Sequence, residues 1–198
     1  MREFIGWILV VALVFTLIYI IALNIYKVRM RKPLKVWKNG GDLDEQALAK
    51  VEHYIEKFGG GKLNWELKDR QHLREIEYNK AHLPSKELPP LSPNWGEVEE
   101  FIEKTRFDFT SVGESYSYIG YENHLIEHRS IPKSDFEGDT LKLIETLRAD
   151  VNWFYCNQTG ERLWEQSEIL ERFLRKKYPR LSDKSISRIC STYCTNNR

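Results

Sequence analysis

The sequence is poor in cysteine and lacks the short motifs that identify common enzyme classes. Its three cysteines, Cys156, Cys190 and Cys194, are an odd number, and two of them lie close together near the end of the chain. A disulfide framework normally has an even number of cysteines, so we expect free thiols in a reducing compartment. The chain also has no G-x-S-x-G motif, no Rossmann glycine pattern and no protein-kinase set, which argues against those enzyme classes.

A glycine run at 59–61 lacks the context of a phosphate-binding loop. Lys62 follows the glycines, but the next residue is Leu63, where a P-loop has Ser or Thr. The residues before the run have helical rather than strand periodicity. We interpret the glycines as a flexible connector between two helices.

Charge is absent from one long stretch, Phe4 to Leu23. A helix of about 20 apolar residues, rising about 1.5 Å per residue, spans the hydrocarbon core of a bilayer. A cleavable signal peptide has a shorter apolar core and a cleavage site with small residues, and this sequence has neither. A buried helix of this length normally keeps a polar face. The stretch therefore predicts a transmembrane anchor.

Basic residues follow the apolar stretch and predict its orientation. Only Arg2 precedes the stretch, and Glu3 partly offsets it. Because lysine and arginine accumulate on the cytoplasmic side, we expect a single-pass protein with its N-terminus outside and its C-terminal domain in the cytoplasm. The same cluster is a candidate membrane-surface site for anionic lipid headgroups. Its members are Lys27, Arg29, Arg31, Lys32, Lys35 and Lys38.

The composition divides the chain into an anchor at 1–26, a basic juxtamembrane stalk at 27–41 and a soluble domain at 42–198. A proline-rich linker at 84–93 is a candidate boundary inside that domain, because proline favours extended backbone. The charge is uneven along the chain. Residues 1–38 have a net charge of +6 and residues 172–198 of +7, although the whole chain has only +1.

Apolar periodicity predicts that the soluble domain is mainly α-helical. Residues 42–58 and 182–194 have regular helical spacing, with Asp42 and Ser182 as the predicted N-caps. Either Ser92 or Asn94 can cap the helix that begins near Trp95. Aromatic residues partly alternate between 107 and 121, which favours a small β-hairpin, so α+β is the minor alternative. The segment 121–129 fits either a hairpin or a helix.

The segment His124-Leu125-Ile126-Glu127-His128 matches the H-x-x-E-H pattern of one class of zinc peptidase. On a helix, His124 and His128 lie one turn apart and can share a zinc ion, with Glu127 as the general base. No downstream glutamate stands out as the third ligand. The pattern therefore gives an alternative function, a small membrane-anchored zinc-dependent hydrolase, and surface histidines are the simpler interpretation.

The C-terminal basic segment is the main candidate for partner binding. It contains the candidate residues Arg172, Arg175, Lys176, Lys177 and Arg180. Nucleic-acid binding is a minor hypothesis, because the chain has no recognised nucleic-acid module. The aromatic stretch 107–121 is a second candidate surface. We therefore expect a non-enzymatic, membrane-anchored protein whose helical domain binds an unknown protein partner as an interaction, scaffolding or regulatory module, without a cofactor.

Overall fold

The computed structural model describes residues 2–105, 107, 109–112, 114–122 and 125–196, with side chains throughout except at 2–6, 8, 9, 109–112, 119, 121, 122, 125 and 126. Over these ranges the chain forms seven α-helices and one three-stranded antiparallel sheet. The predicted class, mainly α with a minor β element, is confirmed. The chain divides into two compact units, Met1–Gln71 and His72–Arg198, which we call the N-terminal and C-terminal units.

The N-terminal unit contains α1 (Arg2–Lys38), α2 (Glu45–Phe58) and the first part of α3 (Gly60–Ala81). The side chain of Asp44 accepts a hydrogen bond of 2.7 Å from the backbone N–H of Ala47 and so caps α2. The predicted cap at Asp42 is therefore wrong by two residues. Both aspartates precede the same apolar run, and the local pattern does not distinguish them.

Two parts of α1 have different surroundings. Every side chain from Val10 to Ala22 is exposed, on all faces of the helix. Further along, Met30 and Trp37 are only 5% and 3% exposed. These two residues lie two turns apart on one face, and they pack with Val51, Ile55 and Leu67 of the next two helices. The segment after the apolar run is therefore a packed part of a small helical core.

The C-terminal unit contains the end of α3, four further helices and the sheet. The helices are α4 (Trp95–Thr105), α5 (Gly138–Cys156), α6 (Leu163–Lys177) and α7 (Asp183–Asn196). The strands are β1 (Phe109–Val112), β2 (Ser115–Glu122) and β3 (Leu125–Pro132), paired in the order β1-β2-β3. In the register, Phe109 pairs with Tyr118, and Tyr116 pairs with Ile131. The hairpin favoured by the aromatic alternation is present, and a third strand extends it.

The core of the C-terminal unit is a single apolar cluster to which α4 to α7 all contribute. The sheet joins this cluster through Tyr116, whose ring centroid lies 5.1 Å from that of Phe101 on α4. Side-chain oxygens cap the N-termini of α4 and α7. Asn94 Oδ1 accepts from the N–H of Gly96 at 3.1 Å, and Ser182 Oγ accepts from the N–H of Ser185 at 3.2 Å.

Candidate basic groove of the C-terminal unit

A groove of about 430 Å³ lies between α6 and the segment that contains the end of α3 and the residues after it. Three apolar side chains, Leu83, Ile169 and Phe173, contribute to its lining. The other lining residues are all basic: Lys80, Lys86, Arg172 and Lys176. We refer to these seven residues as the basic groove. Its lining contains no acidic residue.

Helical spacing explains the arrangement on the α6 side of the groove. Ile169 and Phe173 are four residues apart, as are Arg172 and Lys176, so each pair lies along one side of the helix. Phe173 is buried and belongs to the core. The two cations lie in the second half of α6, where positive charge interacts favourably with the C-terminal end of the helix dipole. The local sequence therefore places two cations beside an apolar strip.

The opposite side of the groove is fixed by contacts within the C-terminal unit. The side-chain amide of Asn79 is buried and donates a hydrogen bond of 2.8 Å to the carbonyl oxygen of Gln158, between α5 and α6. Leu83 and Leu88 pack against the core cluster. These contacts hold Lys80 and Lys86 at the groove, although the two lysines are about 90 positions from α6 in the sequence.

The groove concentrates positive charge without an internal counter-charge. Among the described residues, no Asp or Glu forms an ion pair with any of its four cations. Arg172 Nε donates only to the backbone carbonyl of Glu168, at 3.3 Å. All four cations are exposed to solvent. A concave surface with charge of one sign attracts ligands of the opposite sign, so the groove can bind an anionic group.

Other predicted partner-binding residues have partners inside the protein or lie elsewhere. Arg175 pairs with Glu171 at 2.9 Å and with Asp183 at 2.5 Å. Its pKa is raised first by the hydrogen bond to Asp183 and next by that to Glu171. Arg180 lies in a neighbouring cleft of about 360 Å³, together with Trp95. Only Arg172 and Lys176 of the five predicted residues line the basic groove.

Lys177 has a structural role that the sequence did not indicate. Its ammonium group is 2.8 Å from Asp150 Oδ2, and both residues are only 6% exposed. The hydroxyl of Tyr178 donates to the same carboxylate oxygen. Burial, followed by this hydrogen bond, raises the pKa of Tyr178 well above its ordinary value. The Lys177 ammonium is therefore not available to a partner, contrary to the prediction.

The segment with the H-x-x-E-H pattern does not form the helical turn that a zinc site at this spacing requires. Glu127 and His128 are exposed in strand β3, where neighbouring side chains point to opposite faces of the sheet. His124 lies outside the described residues. Within the described ranges, no three His, Cys, Asp or Glu side chains are grouped so that they could hold a metal ion.

The aromatic stretch 107–121 contributes to the core, as far as its side chains are described. Phe107 and Tyr116 are buried, and Tyr118 packs against the core cluster. Burial and the hydrogen bond of 2.7 Å to Glu145 raise the pKa of Tyr116 above its ordinary range. The rings of Phe107 and Tyr116 are therefore not available for the partner contact that the sequence suggested, and Tyr118 is half-buried.

The three cysteines are all free thiols, but their surroundings differ. Burial raises the pKa of Cys190 to about 12, so this thiol is a core residue and not a reactive nucleophile. Cys156, at the end of α5, is exposed.

The candidate membrane-surface residues project from α1 into solvent. All six of them, Lys27, Arg29, Arg31, Lys32, Lys35 and Lys38, are exposed on the part of α1 that packs in the N-terminal unit. Lys27 also lies over the ring of Phe58, with its ammonium 5.6 Å from the ring centroid.

Comparison with protein-family models, with curated proteins and with solved structures finds no match for this chain. The geometry and the charges of the two units are therefore the basis for a function.

Proposed function

We propose that the protein is a single-pass, membrane-anchored interaction module. In this proposal, α1 crosses the membrane and the basic groove of the C-terminal unit binds an acidic segment of a protein partner. The observation that carries the proposal is the groove itself, in which four cations without carboxylate partners surround an apolar floor. Anchoring raises the local concentration of the module near other membrane proteins, so that modest affinity is sufficient.

The change in surroundings along α1 supports membrane anchoring. The helix is long and apolar enough to cross a membrane, and the described side chains from Val10 to Ala22 are exposed on every face. Exposure of such an apolar surface to water is unfavourable, whereas contact with lipid is favourable. The same helix then continues without a break into the packed core at Met30 and Trp37. Cleavage of a signal peptide here would cut a helix whose later residues are part of the folded core, so a permanent anchor fits this structure better.

The proposed orientation rests on the distribution of charge along α1. Six exposed cations follow the apolar segment of α1, and only Arg2 precedes it. With the C-terminal unit in the cytoplasm, free thiols at Cys156, Cys190 and Cys194 are in the reducing compartment that they require.

The chemistry of the groove favours an acidic peptide with at least one apolar side chain. Carboxylates of the peptide can pair with Arg172, Lys176 and the two lysines opposite, while the apolar side chain covers the half-buried Leu83 and Ile169. Charge complementarity favours the encounter, and burial of the apolar side chain adds affinity. Arginine suits this role because its planar guanidinium binds carboxylates in a bidentate manner.

Peptide titration of charge-reversed protein tests the groove. The probe is a fluorescent peptide in which glutamates flank leucines, and the protein is the full chain in nanodiscs. Because the groove cations are exposed, each pair with a peptide carboxylate contributes up to about 1 kcal/mol, and a reversed charge adds repulsion. We therefore expect the double variant Arg172→Glu, Lys176→Glu to bind the probe about tenfold more weakly than the unchanged chain.

A matched variant separates this effect from a general change in charge. Lys104→Glu with Lys142→Glu makes the same charge change in the same unit, at exposed residues outside the groove. We expect this control to retain affinity within about threefold, because neither Lys104 nor Lys142 lines the groove. Equal binding by the groove variant and the unchanged chain contradicts the proposal, as does equal weakening in both double variants.

Cys156 gives a direct test of the orientation. Because this thiol is exposed in the folded protein, a maleimide can reach it without denaturation. We expect a membrane-impermeant maleimide to label Cys156 in permeabilised cells but not in intact cells, with Cys156→Ser as the control for labelling of the other two thiols. Labelling in intact cells places the C-terminal unit outside and reverses the proposed orientation.

A further inference from the structure

Helix α2 returns along α1 to the end of the apolar segment. The ring centroid of Tyr26 on α1 lies 5.8 Å from that of Tyr54 and 6.3 Å from that of Phe58, the last residue of α2. The ammonium of Lys27 also lies 5.6 Å from the centroid of the Phe58 ring. The C-terminal end of α2 is therefore at the level of residues 26 and 27, where the polar part of α1 begins.

Helix α3 then leaves this level in the same direction as α1. The guanidinium of Arg70 lies 4.0 Å from the centroid of the Trp37 ring and donates a hydrogen bond of 2.5 Å to the carbonyl oxygen of Trp37. Gly60 lies ten residues before Arg70, and Lys27 lies ten residues before Trp37. At about 1.5 Å per residue, both segments rise by about 15 Å. The start of α3 is thus also level with Lys27.

The end of α2 and the start of α3 form a tip at 57–62 that contains three glycines and two cations. Residues 59–61 are glycines, Lys57 and Phe58 precede them and Lys62 follows, and both lysines are exposed. The turn needs glycine at two positions. Gly60 has φ +68°, and a Cβ on Gly59 would lie 2.5 Å from the carbonyl oxygen of Ile55.

From this geometry we propose that the tip at 57–62 lies on the bilayer surface and, with Lys27, binds the headgroups of anionic lipids. The inference rests on the proposed crossing of the membrane by α1. The headgroup layer extends about 5–7 Å beyond the hydrocarbon core, and the polar part of α1 begins at this depth. Lys27, Lys57 and Lys62 then form a triangle of positive charge in that layer, contributed by three helices.

The tip also changes which cations reach the lipid. Because α1 is a continuous helix, Lys35 and Lys38 lie about 12 and 16 Å further along its axis than Lys27. An upright helix therefore carries these two residues beyond the headgroups. The return of α2 supplies Lys57 and Lys62 in their place, although they follow the apolar segment by more than thirty residues.

Hydrogen exchange on the full chain in nanodiscs tests the inference. The first amides of α3, at residues 60–62, have no hydrogen-bond acceptor within their own helix, so they exchange quickly unless something covers them. We expect peptides that span 57–63 to exchange at least about fivefold more slowly in phosphatidylcholine discs containing phosphatidylserine than in phosphatidylcholine alone. Fivefold corresponds to about 1 kcal/mol, the contribution of one lysine near an anionic surface.

Two double variants with the same charge change locate the effect. Lys57→Glu with Lys62→Glu reverses the tip, and we expect it to abolish the difference between the two lipids. Lys50→Glu with Lys68→Glu is the matched control, because these exposed lysines lie on the same two helices about 10 Å from Lys57 and about 9 Å from Lys62. We expect the control to keep the protection. Equal exchange in both lipids, or equal loss in both variants, overturns the inference.

Alkaline carbonate extraction distinguishes failure of the tip from failure of the anchor. If α1 crosses the bilayer, the chain floats with vesicles of either lipid composition after the wash. A chain that stays with the vesicles but shows an unprotected tip disproves only the headgroup site. A chain that the wash releases disproves the anchor, and the tip proposal with it.

Discussion

The buried ion pair between Lys177 and Asp150 predicts a large effect from one residue. Removing one partner of a buried pair leaves an uncompensated charge, at a cost of about 3–5 kcal/mol. We therefore expect Asp150→Ala to lower the free energy of unfolding of the C-terminal unit by about this amount. The lost hydrogen bond of Tyr178 adds to this loss of stability. Urea denaturation of the detergent-solubilised chain measures the total change in the free energy of unfolding.

The exposed pair between Lys184 and Glu103 is the control for this prediction. Its charged groups are 2.5 Å apart, but their side chains are 67% and 56% exposed. Solvent screens such a pair, and we expect Lys184→Ala to cost less than about 1 kcal/mol. Similar losses from Asp150→Ala and Lys184→Ala contradict the view that burial determines the difference.

Glu99 predicts how acid affects the C-terminal unit. Burial by itself raises the pKa of Glu99, but hydrogen bonds from Ser182 and Ser185, together with the charge of Lys184, bring the pKa below the ordinary value of 4.5. The folded state therefore binds fewer protons than the unfolded state near that pH. The resulting stability is complete above the unfolded pKa and is lost as the pH falls through the folded pKa.

We accordingly expect the free energy of unfolding to decrease as the pH falls below about 4.5, and Glu99→Gln to reduce this slope. Denaturation at a series of pH values measures this slope in the unchanged chain and in the Glu99→Gln variant. The glutamine oxygen can still accept from the N–H of Ser182, but its NH2 group can only donate to the hydroxyls of Ser182 and Ser185. The pH slope, and not the absolute free energy, therefore isolates the charge. An unchanged slope shows that other carboxylates account for the acid sensitivity.

At the scale of elements, the turn between α2 and α3 gives a matched pair of glycine substitutions. Gly60 has a left-handed backbone, in which a side chain costs about 1–2 kcal/mol. A Cβ on Gly61, in the first turn of α3, would instead meet open space. We expect Gly60→Ala to lower the opening free energy of α2 by about 1 kcal/mol or more. Gly61→Ala should be neutral or slightly stabilising, and hydrogen exchange of the α2 amides compares the two.

Sequence patterns predict the helices of this protein well because apolar periodicity records which face is buried. Val51 and Ile55 are completely buried, as their spacing predicts. The third strand is not predicted in the same way, because residues 121–129 have no strong periodicity of either kind. Strand β3 owes its conformation to pairing with β2, in which Gly120 faces Glu127, and a local pattern does not encode pairing of this type.

Only half of the basic groove could be predicted. Arg172 and Lys176 lie in a conspicuous basic run, but the sequence gives no sign that Arg175 and Lys177 are paired internally. The sequence also gives no local signal for Lys80 and Lys86, because the packing of Leu83 and the hydrogen bond of Asn79 bring them to α6. A site assembled from distant segments depends on tertiary contacts that a single sequence does not show.

At the scale of the whole molecule, two truncations test where the anchor ends. Removing residues 1–25 takes away the uncovered apolar surface but keeps Met30 and Trp37 in their core. We expect that protein to be soluble and to keep α2 helical. Removing residues 1–38 also exposes the core faces of α2 and α3, so we expect aggregation or loss of α2.

Circular dichroism and size-exclusion chromatography without detergent distinguish the two truncated proteins. Equal behaviour of both shows that residues 26–38 are a dispensable spacer, as expected of a simple stalk. If the protein that lacks only residues 1–25 aggregates, a further apolar surface outside α1 must be covered by the membrane.

The continuity of α1 has a mechanical consequence. If α1 crosses the bilayer as proposed, the same helix also packs in the core of the N-terminal unit, so it can act as a lever with its fulcrum at the membrane surface and with one proline, Pro33, within the arm. From Tyr26 to Trp37 the lever arm is about 16 Å, so a change of about 10° in tilt displaces its far end sideways by about 3 Å. Apolar helices adjust their tilt to the thickness of the bilayer. On the proposed anchoring, a change in bilayer thickness would therefore displace the N-terminal unit.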